Sequence, residues 1–132
     1  MPVIYKDDIT PAAKDIIVLY NNAGLPRPTE DEARIKKMYD NSNLIITAWD
    51  ADNLVGIVRC ITDSCWSCYL SDLAVAPGYQ KEGIGKKLIE HTRNKLGEEV
   101  MILLLSVPSA MSYYPKAGFT KEDRAFAIFR TR

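Results

Sequence analysis

Apolar and polar residues follow two different periods along the chain, and each change of period marks an element. Val3–Lys6 reads as a short first strand. Thr10-Pro11 opens a helical stretch, with Thr10 as N-cap and Pro11 at the first helical position. Ile16, Ile17, Leu19 and Tyr20 form its apolar stripe, and Asn22-Ala23-Gly24 stops it. Leu25-Pro26-Arg27-Pro28 cannot continue a helix, because proline lacks the N–H and clashes with the preceding turn. Thr29 caps a second helix, and Glu32, three residues on, completes a capping box. That helix carries Ala33, Ile35, Met38 and Tyr39 and ends near Asn41.

Leu44–Trp49 and Leu54–Thr62 read as the two strands of a hairpin around the turn cluster Asp50-Ala51-Asp52-Asn53. After a loop at Asp63-Ser64 comes a strand, Cys68–Val75, broken by Ala76-Pro77-Gly78. From Ile84 the period becomes helical. Ile84, Leu88, Ile89, Thr92 and Leu96 share one face, while Lys86, Lys87, Glu90, Arg93 and Asn94 fall mostly off it. Gly97 closes this helix. Val100–Leu105 is a continuous apolar run, as expected of a strand covered on both faces. Ser109–Ala117 reads as a short helix ended by Gly118, and Phe119 onward with Phe126–Arg130 predicts a last hairpin. The sum is an α+β fold in three α/β/α layers. Its mixed, mostly antiparallel twisted sheet has one central strand–helix–strand crossover, which makes strands 68–75 and 100–105 parallel.

Composition narrows the picture without changing it. The 132 residues contain no internal repeat or low-complexity linker, so 1–132 is read as one domain, and 47% hydrophobic residues suffice for its core. Seventeen basic and seventeen acidic residues give zero formal charge, which argues against a dedicated nucleic-acid binder. No apolar run is long enough to span a membrane. Met1–Asp8 carries charge early and lacks a signal-peptide core, so the cytoplasm is the expected location. Cys60, Cys65 and Cys68 read as free structural thiols. Cys65-Trp66-Ser67-Cys68 runs into a strand rather than opening a helix, and His91, read as a surface residue, is the one imidazole, so no metal site is expected.

The chemistry concentrates in Gln80-Lys81-Glu82-Gly83-Ile84-Gly85-Lys86, between a strand and an amphipathic helix. The first N–H groups of that helix have no internal partner. Two glycines admit a close anion, and the helix dipole favours phosphate oxygens. Lys81, Lys86 and Lys87 add positive charge. Gly78 and Gly83 have the Walker A spacing, but Ile84 stands where its lysine belongs; Leu88 stands where a dinucleotide fingerprint needs its third glycine. On spacing alone, a phosphate loop and a tightly packed strand–helix turn fit equally.

The run Leu73-Ala74-Val75-Ala76-Pro77-Gly78-Tyr79-Gln80-Lys81-Glu82-Gly83-Ile84-Gly85-Lys86-Lys87-Leu88 resembles the central motif of the GNAT family of N-acetyltransferases. That motif is Gln or Arg, two residues, Gly, any residue, then Gly or Ala; Gln80, Gly83 and Gly85 match it. Tyr114-Pro115-Lys116-Ala117-Gly118-Phe119 resembles the family's Tyr-x-Lys-x-Gly-Phe helix end. The likeness covers residues 44–130 well and the N-terminal third more loosely. It implies a GNAT-like acyl-coenzyme A N-acyltransferase fold and acetyl-coenzyme A as co-substrate. Leu73, Ala74 and Val75 would meet the pantetheine arm, and Gln80, Lys81, Glu82, Gly83, Ile84, Gly85 and Lys86 would wrap the pyrophosphate. The thioester would sit where strands 68–75 and 100–105 splay apart. Tyr114 matches the tyrosine that protonates the leaving thiolate, and Tyr113 the aromatic before it. The implied reaction is direct attack by an amine in a ternary complex, the acceptor being a small molecule, and family analogy allows a homodimer.

A phenol of pKa about 10 can donate to a thiolate of pKa about 8.5 and recover its proton later. The attacking amine, with a pKa of about 10.4, must first lose a proton, at a cost of about 4–5 kcal/mol near neutral pH. Family members place a Glu or His base on the strand before the loop. Period-two alternation puts Tyr69 and Ser71 there, on the face of Leu73 and Val75, and puts Asp72 opposite. Water helped by Tyr69 or Ser71 is the expected proton route, with Asp63 second. Ser106-Val107-Pro108-Ser109 stands where the family often has an Asn, and Ser109 reads as a helix cap. Arg27 and Asp31 are candidates to meet a polar substrate, against the reading of both as solvated loop residues; Arg59, inside a strand, is outward-facing or paired. The missing base leaves two alternatives open: a catalytically weak acyl-coenzyme A sensor, or an interaction module without coenzyme A.

Overall fold

In the computed structural model, which describes residues 2–132, five strands form one sheet in sequence order. They are β1 (Ile4–Lys6), β2 (Leu44–Asp50), β3 (Asn53–Thr62), β4 (Ser67–Val75) and β5 (Met101–Leu103). The first four pair antiparallel, and β4 pairs parallel with β5 across the crossover helix α3 (Ile84–Leu96). Helices α1 (Ala13–Ala23) and α2 (Glu32–Asp40) cover one face. Helix α3 covers the other, where Ile84 and Leu88 pack on Leu44, Ile46, Val58, Cys60 and Leu70. The second core joins Ile16, Leu19, Tyr20, Ile35 and Tyr39 to Ile45, Ile57 and Ala74. The expected α/β/α layering and its parallel crossover are therefore both present, but the crossover lies at the edge of the sheet rather than at its centre, because β5 is the last strand.

The sheet packs tightly against α3 at Gly56. A Cβ there would meet Leu88 Cδ1 at 3.1 Å, Ile84 Cγ2 at 3.2 Å and the Ala48 Cβ at 3.3 Å. The missing side chain is what lets the helix seat against the middle of β3.

Helix starts differ from the sequence reading for identifiable reasons. Helix α1 begins at Ala13, with Ala12 extended before it, and Pro11 is buried in the lead-in rather than standing at the first helical position. Helix α2 is capped by Asp31, whose carboxylate accepts from the Arg34 N–H at 3.1 Å. Aspartate is the stronger N-cap; Thr29 bonds Asn21 instead, and Glu32 becomes the first helical residue rather than a box partner. Gly24 and Gly97, with φ of 73° and 85°, close α1 and α3 as expected.

The C-terminal third departs most. The apolar run 100–105 pairs only over Met101–Leu103 and is covered on one face, by the α3-side core. The expected helix Ser109–Ala117 splits into a single tight turn at Pro108–Ala110 and a four-residue helix α4 (Tyr113–Lys116); Pro115 has no N–H to bond back to Met111 and so fits only in the first turn of a new helix. No strand forms after Gly118 among the described residues, so the predicted last hairpin is absent, and residues 120–132 are exposed.

Gly56→Ala is expected to overpack the β3–α3 contact and destabilise the fold by about 1–3 kcal/mol. Urea unfolding should show an earlier midpoint at unchanged slope.

Candidate active site

The ladder between β4 and β5 lasts three residues, Ser67↔Met101, Cys68↔Ile102 and Tyr69↔Leu103. From Leu70 to Val75, β4 has no neighbour on that side, so the two parallel strands part. Apart from the Ser71 and Val75 carbonyls, which accept from Arg27 and Gln80, the edge of this stretch is open to pairing with an extended ligand, as at any sheet edge. Leu73 and Val75 pack into the α3-side core and Ala74 into the opposite one, which fixes the strand at the opening.

The parting coincides with a β-bulge. Arg59 faces Asp72 and the next residue, Cys60, faces Leu70, so Ser71 is the extra residue on β4. The bulge reverses the parity of the strand. Cys68 and Leu70 share the α3-side core with Leu73 and Val75, whereas Tyr69 shares the other face with Asp72 and Ala74. Unbroken alternation had put Tyr69 and Ser71 on the face of Leu73; the structure puts Tyr69 on the opposite face, half-exposed.

Two arginines grip the bulge through one carboxylate. Arg59 Nε donates to Asp72 Oδ2 at 2.7 Å, and its Nη2 donates to Ser71 Oγ at 2.7 Å. Arg27, from the loop between α1 and α2, donates from Nε to Asp72 Oδ1 at 2.6 Å and from Nη2 to the Ser71 carbonyl at 2.8 Å. The Tyr20 hydroxyl adds a bond to Asp72 Oδ2 at 2.7 Å and pairs with the Tyr39 hydroxyl, and the Tyr39 ring lies under the Arg59 guanidinium at 5.7 Å. The Asp72 side chain is fully buried. Burial pushes its carboxyl up, but the Arg59 hydrogen bond and the charges of Arg59 and Arg27 outweigh it and hold the group below the usual carboxylate range. Arg59 is thus paired, and Arg27 is a half-buried clamp rather than a solvated loop residue. Asp31 is the α2 cap.

The second carboxylate of this region, Asp63, closes the β3–β4 loop by accepting from the N–H groups of Cys65, Trp66 and Ser67 at 2.8–3.0 Å. Those bonds, led by that of Cys65, pull its pKa down to about 2. Such a group is a weak proton acceptor near neutral pH.

At the far end of β4, Gln80 Nε2 donates to the Val75 carbonyl at 3.0 Å and folds the loop back on the strand. Gly83 takes φ 77° as the N-cap of α3 and provides no side-chain cap, so the first N–H groups of that helix stay available. Lys81, Glu82, Lys86 and Lys87 are exposed around it, and Ile84 is buried as the first anchor of the helix. A Cβ on Gly85 would meet the Tyr113 hydroxyl at 2.7 Å, so Tyr113 lies directly over the helix start. Tyr114 stands edge-on to Tyr113 at 5.3 Å and to Phe119 at 5.6 Å. Burial raises the Tyr114 phenol above its ordinary value, Tyr113 adds to this, and the charge of Arg27 acts against it. The N-terminal loop, the bulge and α4 therefore converge on one opening.

The sequence model of the acetyltransferase (GNAT) domain matches residues 23–127. The chain belongs to the GNAT acetyltransferase family. The GNAT domain is 32% identical over 97 residues to an uncharacterized N-acetyltransferase, ycf52-like, of Prochlorococcus marinus, a match covering 69% of this chain and 54% of that protein. The chain thus spans about half the length of this curated relative. A probable acetyltransferase of unknown function from Staphylococcus aureus superposes with a TM-score of 0.84 at 26% identity, covering 99% of this chain and 100% of that one. A GNAT family protein from Streptococcus pneumoniae gives a TM-score of 0.81 at 24% identity over 99% of both chains. The mixed sheet of the GNAT domain is the fold of these neighbours.

Among the described residues no group of three His, Cys, Asp or Glu side chains is placed to hold a metal, and no helix is long and apolar enough to cross a membrane. Cys60 and Cys68 are buried thiols, and Cys65 is exposed in the β3–β4 loop.

Asp72→Asn is expected to cost about 3–5 kcal/mol, because it leaves the buried Arg59 and the half-buried Arg27 guanidinium groups without a carboxylate. The folded-state pKa of Asp72 is depressed, so its contribution is complete well above the unfolded value of about 3.9 and is lost as pH falls through the lower folded value. Urea midpoints of the parent chain and the variant should therefore differ near pH 7 and converge as the solution is made strongly acidic.

Proposed function

We propose that the GNAT domain transfers an acetyl group from acetyl-coenzyme A to the primary amine of a small molecule. The observation that carries this reading is the parting of β4 from β5 beside an α3 N-terminus without a side-chain cap, with Tyr114 at the opening. The residues present suit the co-substrate. The α3 N-terminus at Gly83–Lys86, with Lys81 and Gln80 before it, offers N–H groups and positive charge to a pyrophosphate. The open edge at Leu73–Val75 offers backbone partners to a pantetheine arm, and a larger residue at Gly85 would displace the Tyr113 hydroxyl that lies over it.

Acetyl-coenzyme A supplies an activated thioester carbonyl. The amine nitrogen forms the new N–C bond as the C–S bond breaks. Tyr114 holds the proton that the departing sulfur needs. Its raised pKa keeps it protonated at neutral pH, so it acts as the acid and recovers a proton from solvent afterwards. The chain supplies no carboxylate base from β4 or the loop before it, since Asp72 is committed to two arginines and Asp63 to three backbone N–H groups. The amine proton therefore leaves to water at the opening, where Tyr69 is half-exposed; the Ser71 hydroxyl is engaged by Arg59. The same absence of free negative charge favours a small acceptor over a lysine-rich protein tail, which acidic surfaces recognise.

In a thiol-release assay with a panel of small amines, Tyr114→Phe is expected to lower kcat by about 10²–10⁴-fold while calorimetric affinity for acetyl-coenzyme A stays unchanged. Tight binding with no amine-dependent release across the panel would replace this reading with that of a coenzyme A sensor. Without a protein base, log kcat/KM should climb with unit slope up to the pKa of the acceptor, about 10.4 for a primary alkylamine. A plateau beginning near neutral pH would reveal a base and refute the water route.

A further inference from the structure

Residues 77–83 carry the chain from β4 to α3, and little packs on them. The β3–β4 ladder ends one step past Gly56↔Val75, where the Ala76 N–H donates to the Val55 carbonyl at 2.8 Å. Beyond it come a single tight turn at Pro77–Tyr79 and the left-handed Gly83. A Cβ on Gly78 or on Gly83 would meet nothing within 4 Å. Pro77, Gly78, Gln80, Lys81, Glu82 and Gly83 are exposed; Tyr79 alone is half-buried, packed against the α3-side core.

Tyr79 is also bonded at its tip. Its hydroxyl donates to Asp50 Oδ2 at 2.5 Å, across 29 positions of sequence. Asp50 is the last residue of β2, paired with Asn53 across a turn in which Ala51 takes φ 53°. The β2–β3 turn thus holds the middle of the loop, as Val55 holds its start. The other side-chain tie, from Gln80 to the Val75 carbonyl, runs to β4, the strand the loop has just left. The hydrogen bond to Asp50 raises the Tyr79 phenol above its ordinary value and keeps it a donor at neutral pH. Electrostatics alone would not favour a carboxylate here. Asp50 adds negative charge beside a loop whose proposed ligand is itself negative, so its use lies in where it fixes Tyr79.

We infer that Tyr79 and Asp50 form a positioning pair for the phosphate end of acetyl-coenzyme A. Bound to the β2–β3 turn, Tyr79 fixes residues 77–83 so that the first N–H groups of α3 are set before the pyrophosphate arrives. This role rests on the acetyl-coenzyme A reading proposed above. A loop already held in its bound shape loses its conformational freedom in folding rather than in binding, and affinity rises accordingly. Neither residue has to touch the ligand, and neither belongs to the signature formed by Gln80, Gly83 and Gly85. The pair acts through the backbone that the signature shapes.

Calorimetric titration of the full chain tests this with two probes, acetyl-coenzyme A and 3′-phospho-ADP, the part of it that carries the pyrophosphate. Tyr79→Phe is expected to raise Kd about 3–10-fold for both probes alike. Asp50→Ala should give the same loss, and the two changes together no more than either alone, because they remove one interaction. Asp50→Asn, which keeps an acceptor oxygen, should recover most of what Asp50→Ala loses. A merely structural contact would lower the urea midpoint and leave the Kd of the folded protein where it was, so an unchanged Kd in Tyr79→Phe overturns the role. A loss for acetyl-coenzyme A without one for 3′-phospho-ADP overturns it too, by placing the effect away from the pyrophosphate. A parent chain that binds neither probe overturns it together with the acetyl-coenzyme A reading.

Discussion

The carboxylate of Asp72 is the point on which the rest of this domain hangs. It is buried, it is shared by guanidinium groups from two separate elements, and it sits one residue past the bulge that redirects β4. Arg59 reaches it from the neighbouring strand and Arg27 from the loop joining the N-terminal helices. Because Arg27 also satisfies the Ser71 carbonyl, the helical layer is tied to the backbone of the bulge itself. A bulge frees polar backbone groups that a buried sheet must otherwise pair. Here the Ser71 carbonyl is taken up by Arg27, a side chain that has travelled from elsewhere in the fold. The position of the opening is therefore set by the N-terminal third, although none of the recognisable motif lies there.

Most of what the proposed site would offer a ligand is backbone. The α3 N-terminus, the unpaired edge of β4 and the turn at Gly83 are properties of chain direction rather than of side-chain identity. Few residues in such a site are individually diagnostic, and side chains such as Tyr113 and Tyr114 enter from the short helix on the far side. The proposed route of the amine proton to water has the same origin. The acidic residues nearest in sequence to β4 have structural work, Asp72 in the clamp and Asp63 in the loop.

The layers, the crossover and α3 were legible in the sequence because each rests on a local signal. The 3.6-residue spacing of Ile84, Leu88 and Ile89 ends at a glycine with positive φ, and the loop before it carries Gln80, Gly83 and Gly85 in fixed order. The bulge was not legible, since a single extra residue at Ser71 leaves no trace in composition and reverses every inference drawn from alternation beyond it. The clamp was hidden for the same reason: Arg59 and Asp72 become cross-strand partners only once the register is known, and Arg27 arrives from 45 residues away. At α2 two capping signals competed, and Asp31 prevailed over Thr29. The C-terminal segment has the pattern of a strand but finds no partner within its own chain.

The clamp is not electrically neutral. Two guanidinium groups and one carboxylate leave one positive charge, held at the bulge where the strands part. Its field already registers at Tyr114, where Arg27 opposes the effect of burial on the phenol. An ammonium ion brought to the same place meets that field as repulsion, and a fixed positive charge lowers the pKa of a neighbouring amine. In the proposed reaction, a pair of arginines that hold a strand in shape would thereby tilt an incoming amine toward its neutral, nucleophilic form, performing electrostatically part of what a general base performs by taking the proton.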